Sequence, residues 1–287
     1  MPTARTDPAR GLLTDAIENG ILRLGRYLAS PDLAPFVEHF WSVEWDLRGK
    51  PPLLQETLPY PSVHLVFEQD QPLIYGVMRR KFARVLEGQA RVFAVKFRPG
   101  AFYGLLQRPV STITERVLSA VDVFSQPVLD LHHTVSHHQT VSQLYDDDAA
   151  IHITETFLRG YLREPDPTAV ALHQVVNFLL TAPEVVRVDE LCARLQLGPR
   201  TLQRLFSRYI GVSPKWVIKR GRLHEATQRI AAAADPDWAS LAHELGYFDQ
   251  AHFIHDFKTA VGRTPGEYAH ARVSQSLPSQ SLPATQS

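Results

Sequence analysis

The stretch LQRLFSRYIGVSP, Leu202 to Pro214, returns in degenerate form as FIHDFKTAVGRTP, Phe253 to Pro265, at an offset of 51 residues. Leu202, Phe206, Gly211, Ser213 and Pro214 answer to Phe253, Phe257, Gly262, Thr264 and Pro265. Upstream, DELCARLQL (Asp189 to Leu197) answers to ASLAHELGY (Ala239 to Tyr247) at an offset of 50, so the second copy has gained one residue between its two helical patterns. A helix, a turn and a helix are written twice.

In the first copy Val188, Leu191, Cys192 and Leu195 form an apolar stripe, and Asp189 and Glu190 sit where carboxylates suit the positive end of a helix. Gln196 to Gly198 predicts a short turn, and Pro199 fits the first position of the next helix. That helix turns Leu202, Leu205 and Phe206 inward and leaves Arg200, Thr201, Gln203, Arg204, Ser207 and Arg208 for its other sides. Arginine forks onto guanine and glutamine onto adenine in the major groove, so such a face can read base edges. In the second copy Asp249 predicts an N-cap, followed on the outer side by Gln250, Ala251, His252 and His255, with Lys258 further along.

Between the copies PKWVIKRGRLHEATQRIAAA (Pro214 to Ala233) reads as one helix. Its nineteen or twenty residues span about 28–30 Å at ~1.5 Å each. Two reading heads on one face of a duplex stand about 34 Å apart, one turn of DNA. Charge is uneven. From Arg187 to Arg229 ten Lys/Arg face three Asp/Glu, a balance of +7, whereas Ala231 to Arg272 holds three against six, a balance of −3. Phosphate neutralisation supplies most sequence-independent affinity, so the first copy is expected to hold DNA harder.

Across all 287 residues lysine plus arginine equals aspartate plus glutamate, so any polyanion must be met by a local patch. The one cysteine, Cys192, suits a reducing cytoplasm and excludes a zinc site built from several cysteines. The opening MPTARTDPARG lacks the apolar core of a signal peptide, and no run approaches the ~18 apolar residues of a membrane span. The leading segment is assigned to residues 1–30. Residues 31–114 are β-rich. SVHLVFE (Ser62 to Glu68) and ARVFAVKF (Ala90 to Phe97) are expected strands, the second with Phe93, Val95 and Phe97 on one face. Proline and glycine punctuation through this half suits a small sheet or open barrel. Residues 115–166 form a helical connector, interrupted by Asp146-Asp147-Asp148 and by EPDP (Glu164 to Pro167), where the domain boundary is drawn. Residues 167–272 form the all-α double helix-turn-helix domain, with recognition helices at about 199–210 and 250–261. From about Thr168 to Arg272 the chain is expected to bind duplex DNA by itself. Residues 273–287, with a repeated polar, proline-bearing unit, are an expected disordered tail. The fold class is α+β.

Leu191 to Pro214 and Leu241 to Tyr268 resemble the two helix-turn-helix motifs of the AraC/XylS family of bacterial transcription regulators. RLHEA (Arg222 to Ala226) and TPGEY (Thr264 to Tyr268) match that family's linker helix and C-terminal signature. The resemblance covers about a hundred residues. It implies a cytoplasmic, sequence-specific regulator of promoters, with double-stranded DNA as partner and RNA polymerase as well if it activates. The family's base-contacting positions fall on Arg200, Gln203 and Arg204, and on Gln250, Ala251, His252 and His255. Three departures stand out: His255 and Ile254 replace the family's usual arginine and small polar residue, and Gln196 replaces a usual glycine. The second head is therefore expected to read fewer bases, or to need charged histidines.

LAPFVEHFWSVEW (Leu33 to Trp45), LPYPSVHLVFE (Leu58 to Glu68) and VFAVKFRPGAFYGLL (Val92 to Leu106) resemble an uncharacterised N-terminal domain of some members. Better-known members carry a cupin-like barrel there, which implies a small-molecule effector or a homodimer. The alternative is a regulator whose N-terminal domain binds no ligand. Arg98, Tyr103 and Trp41 are candidate pocket residues, with ordinary core and surface the favoured reading. No effector site is assigned, and no cofactor, metal or catalytic residue is expected. His133 and His137, in LHHTVSHH (Leu131 to His138), stand one helical turn apart but lack a zinc-enzyme carboxylate pattern; a solvated loop is the favoured reading. A lone Cys192 likewise excludes the DNA-repair methyltransferases fused to some relatives.

Overall fold

The computed structural model describes residues 21–68, 70–137, 146–181, 187–232 and 236–276. The N-terminal strands are β1 (Leu22–Tyr27), β2 (Val37–Asp46), β3 (Leu53–Thr57), β4 (His64–Phe67), β5 (Pro72–Tyr75), β6 (Phe82–Leu86), β7 (Gln89–Phe97) and β8 (Val117–Ser119). One six-stranded sheet runs β1-β2-β7-β4-β5-β8, and β3 and β6 form a separate ribbon. All pairs are antiparallel. The barrel considered from the sequence does not close: β1 and β8 remain the two edges of an open sheet. β1 lies inside the stretch assigned to a leading segment, and β8 carries the sheet past residue 114. A three-residue strand is too short for its periodicity to stand out from the helical pattern that surrounds it.

β7 lies third from the β1 edge, hydrogen-bonded on both sides by β2 and β4. Phe93, Val95 and Phe97 enter the main core, whereas Val92 and Ala94 join Leu22, Trp45, Val66 and Leu86 on the other face. Both faces are therefore covered, and the expected one-sided pattern holds only for the alternate residues. Phe40 stacks on Phe93 at 6.0 Å between centroids.

Helices α1 (Tyr103–Leu106), α2 (Val121–Phe124), α3 (Pro127–His137), α4 (Asp147–Arg159) and α5 (Pro167–Thr181) follow, with a 3-10 turn at Val110–Ile113. The acidic run opens α4. Asp146 accepts from the Ala149 amide at 2.9 Å as N-cap. Asp147 is buried, accepting from Tyr27 (2.5 Å), from Ser42 (2.8 Å) and from Arg91. These donors hold the Asp147 carboxyl below the usual range against its burial. LHHTVSHH lies largely in α3 rather than in a loop; His132 is buried on Phe67, and His138 falls outside the described residues.

The C-terminal helices are α6 (Val188–Leu195), α7 (Pro199–Leu205), α8 (Pro214–Ala232), α9 (Trp238–Glu244), α10 (Gln250–Val261) and α11 (Pro265–Ser276). α7 continues into a wider π-type turn, Phe206–Ile210, closed by the Gly211 amide on the Phe206 carbonyl at 2.8 Å. α11 reaches four residues past the expected end of the domain at 272. The stretch EPDP starts α5, where Asp166 accepts from the Thr168 amide at 2.8 Å, but it does not interrupt the core. One apolar cluster runs from Phe40 and Phe93 through Leu172 and Val176 to Leu202, Phe206 and Val217.

Candidate nucleic-acid interface

Each reading head is a short helix, a turn and a second helix whose inner residues are fully enclosed. Leu202 and Phe206 in the first copy and Phe253 and Phe257 in the second have no exposed surface. The caps follow from the local sequence. Pro199 occupies the first turn of α7, where a missing N–H costs nothing. Asp249 caps α10 by accepting from the His252 amide at 2.7 Å. Both recognition helices stop at a left-handed glycine, Gly211 at φ 91° and Gly262 at φ 86°, a conformation a Cβ disfavours.

On the outer face of the first head Arg200, Gln203 and Arg204 are exposed, with Thr201 half-buried beside them. Neither arginine is in an ion pair among the described residues. Other cations of the basic stretch are engaged. Arg229 pairs with Glu225 at 2.7 Å and with Glu244, and Lys219 with Asp256 at 2.6 Å. Arg220 is buried, bonded to the Arg79 carbonyl at 2.7 Å and lying over Trp216, and burial pushes its guanidinium down to about 10. Of the +7 in the sequence, Arg194, Arg200, Arg204 and Lys215 are exposed and outside any ion pair among the described residues.

Arg208 behaves differently. Although exposed, it donates through Nε to the Tyr103 phenol at 2.7 Å, donates again through its terminal nitrogen, and lies over the Tyr103 ring. On the second head Gln250, Ala251, His252, His255 and Lys258 are all exposed. His252 leans toward Asp256, 3.8 Å away, and meets Tyr247 edge-on.

The N-terminal domain touches both heads at the same structural point. Gly211 accepts from Thr114 Oγ1 at 2.7 Å, and a Cβ there would stand 2.9 Å from that oxygen. A Cβ on Gly262 would stand 2.7 Å from Lys81 Nζ. Lys81 and Arg263 both reach the buried Glu56 on β3. Leu58, just beyond β3, is wholly buried within the second head's core among Leu223, Leu241, Phe253 and Phe257. Tyr60 stacks on His224 of α8 at 4.0 Å. Nothing in the local pattern of LPYPSVH marks Leu58 as belonging to a domain that begins more than a hundred residues later.

The candidate pocket residues do not converge. Arg98 bonds to the Ala34 carbonyl and to His173 at 2.9 Å, and Tyr103 meets Arg208 and Tyr209. Trp41 donates to His64 Nδ1 at 3.2 Å, which suits a neutral imidazole; enclosure and the Lys96 charge push His64 down to about 3. Among the described residues no group of three or more His, Cys, Asp or Glu could hold a metal ion, and no helix is long and apolar enough to cross a membrane. Cys192 is a free, buried thiol in the first head's core.

Residues 191–271 match the family model described as a helix-turn-helix domain, and residues 25–119 match a domain of unknown function, DUF6597. The transcriptional activator RhaS of Pectobacterium carotovorum subsp. carotovorum (strain PC1) is 32% identical over 92 residues, which is 32% of this chain and 33% of RhaS. The uncharacterised regulator YtdP of Bacillus subtilis (strain 168) is 32% identical over 81 residues, 28% of this chain and 10% of YtdP. The chain thus spans about a third of the length of RhaS and a tenth of YtdP in these matches. The solved structure of ToxT from Vibrio cholerae O395 aligns over 88% of this chain and 98% of ToxT, at 11% identity and a TM-score of 0.36. Both relatives of the matched segment carry the names of transcription regulators. Residues 191–271 are thus similar to a helix-turn-helix domain shared with transcription regulators, and they follow a β-rich domain that matches a family of unknown function.

Proposed function

We propose that the protein is a sequence-specific regulator of transcription that binds duplex DNA through both heads, in the cytoplasm. The observation that supports this most is the exposed trio Arg200, Gln203 and Arg204 on a recognition helix, its arginines outside any ion pair among the described residues. α7 with its wide last turn (199–210) and α10 (250–261) enter successive major-groove segments. The 19-residue α8 between them measures about 28 Å at ~1.5 Å per residue. Arg200, Gln203 and Arg204 read bases, with Thr201 at their flank. Gln250, Ala251, His252 and His255 do so in the second head, and Lys258 meets phosphate. Arg208 we assign to the contact with Tyr103, so that its release is a condition of its reaching DNA. As a regulator the protein would meet RNA polymerase if it activates. Any effector response or self-association would act through the N-terminal domain, which touches both heads.

The test is selection of a random duplex library by the full chain at low salt, repeated with Arg200→Ala/Arg204→Ala. Enrichment of a two-part site by the parent protein, lost from one part in the double variant, is the expected result. A parent protein that enriches no sequence would end the proposal.

A further inference from the structure

The residue added to the second copy is visible in the fold. In the first head α6 ends at Leu195, Gln196 turns left-handed at φ 53°, and only Leu197 separates it from the cap residue Gly198. In the second, Gly246 makes the same turn at φ 73°, but both Tyr247 and Phe248 precede the cap residue Asp249. Leu197 is half-buried against the core, and Tyr247, 4% exposed, takes the corresponding place. Phe248 is the extra residue, and it is 93% exposed, whereas the next most exposed large hydrophobic among the described residues, Val85, is at 55%.

Phe248 is also held where it is. The Tyr247 ring fills the space beneath the turn, 5.3 Å from Phe253 and 5.4 Å from His252. On the other side the Asp249 carboxylate is fixed on the His252 amide. The ring therefore cannot fold into the core without displacing Tyr247 or breaking the cap. Its place is at the mouth of α10, and the N-terminal residues of a recognition helix are those that approach base edges. The second head is poor in cations, so polar forks contribute less to its reading. A phenylalanine reads DNA differently: it packs on the 5-methyl group that marks thymine in the major groove.

The geometry points to Phe248 as a specificity residue of the second head, making an apolar contact with a thymine methyl group. This rests on the DNA-binding function proposed above and adds a chemistry that the helix face alone does not supply. Sequence periodicity could not single it out, because an inserted turn residue belongs to neither helical pattern.

The experiment uses the full chain and its selected duplex. Each thymine is replaced in turn by deoxyuridine, which removes only the methyl group, and affinity is read by fluorescence anisotropy. One or two positions opposite the second head should weaken the parent protein roughly three- to five-fold each, the order expected for one methyl group leaving an apolar contact. Phe248→Ala should lose about as much on the thymine duplex and become indifferent to deoxyuridine at those positions. Phe248→Leu should keep part of the discrimination, and Arg204→Ala should keep all of it. Undiminished deoxyuridine sensitivity in Phe248→Ala would overturn the inference, as would a selected site with no thymine opposite the second head. A changed sedimentation of Phe248→Ala with unchanged DNA affinity would also overturn it, and would make the ring part of a protein interface. All these outcomes leave DNA binding intact, whereas a parent protein that selects no duplex removes both proposals together.

Discussion

The two reading heads share their interior and differ on their outside. Leu202 and Phe206 in one copy and Phe253 and Phe257 in the other are equally enclosed, and both recognition helices end on a left-handed glycine. Outside, the first head offers Arg200 and Arg204 where the second offers Ala251 and His255. Support differs too. The first head's core is continuous with the N-terminal sheet, whereas the second has a separate core into which the N-terminal domain inserts Leu58. The difference teaches that packing constrains the inner positions of a duplicated unit, while solvent-facing positions are free to diverge toward separate tasks.

The comparison can be broken most forcefully at Leu58. Truncation of a fully buried leucine to alanine costs about 2–5 kcal/mol. Leu58→Ala should therefore raise amide exchange in α9 and α10 while leaving α6 and α7 protected. Equal loosening of both heads would show that their cores are coupled rather than separate.

DNA affinity offers the next contrast. A bidentate arginine–guanine pair is worth ~1–3 kcal/mol of discrimination, so Arg204→Ala should weaken specific binding roughly 10- to 100-fold and relax one base position. An imidazole lacks the rigid fork of donors that a guanidinium offers, so His255→Ala should cost clearly less. Anisotropy on the selected site with both variants is the measurement. Matching losses for the two variants would erase the distinction between the heads.

The smallest effect sharpens the stereochemical side. Gln196 occupies the left-handed conformation that Gly246 takes in the second copy. Left-handed backbone costs a residue with a Cβ about 1–2 kcal/mol, and glycine returns about 0.5–1 kcal/mol through unfolded-state entropy. Gln196→Gly should thus stabilise the full chain by about 0.5–1 kcal/mol, seen as a higher denaturant midpoint. No gain, or a loss, would mean that the Gln196 side chain contributes a compensating contact.

Much of this was legible in the chain itself wherever the signal is local. The internal repeat, the cap at Asp249, the proline opening α7 and the 3.6-residue stripes fix both heads, since a helix and its ends depend on residues within one or two turns. The exposed faces at Arg200, Gln203, Arg204 and His255 follow from the same periodicity. Where pairing is non-local the sequence signal is weak. The short strands β1 and β8 and the openness of the sheet depend on partners far along the chain, so a barrel could not be told from an open sheet.

The sequence by itself determined that two helix-turn-helix units stand in tandem, with the stronger positive charge in the first. Only the tertiary structure decided which of those charges remain available. Lys219, Arg220 and Arg229 are engaged by Asp256, Arg79, Glu225 and Glu244, and Arg208 by Tyr103. It also decided that Leu58 of the N-terminal domain lies in the core of the second head. The physical reason is one of range: helix periodicity, caps and turns are set by neighbours in the chain, whereas ion pairing and burial are set by neighbours in space.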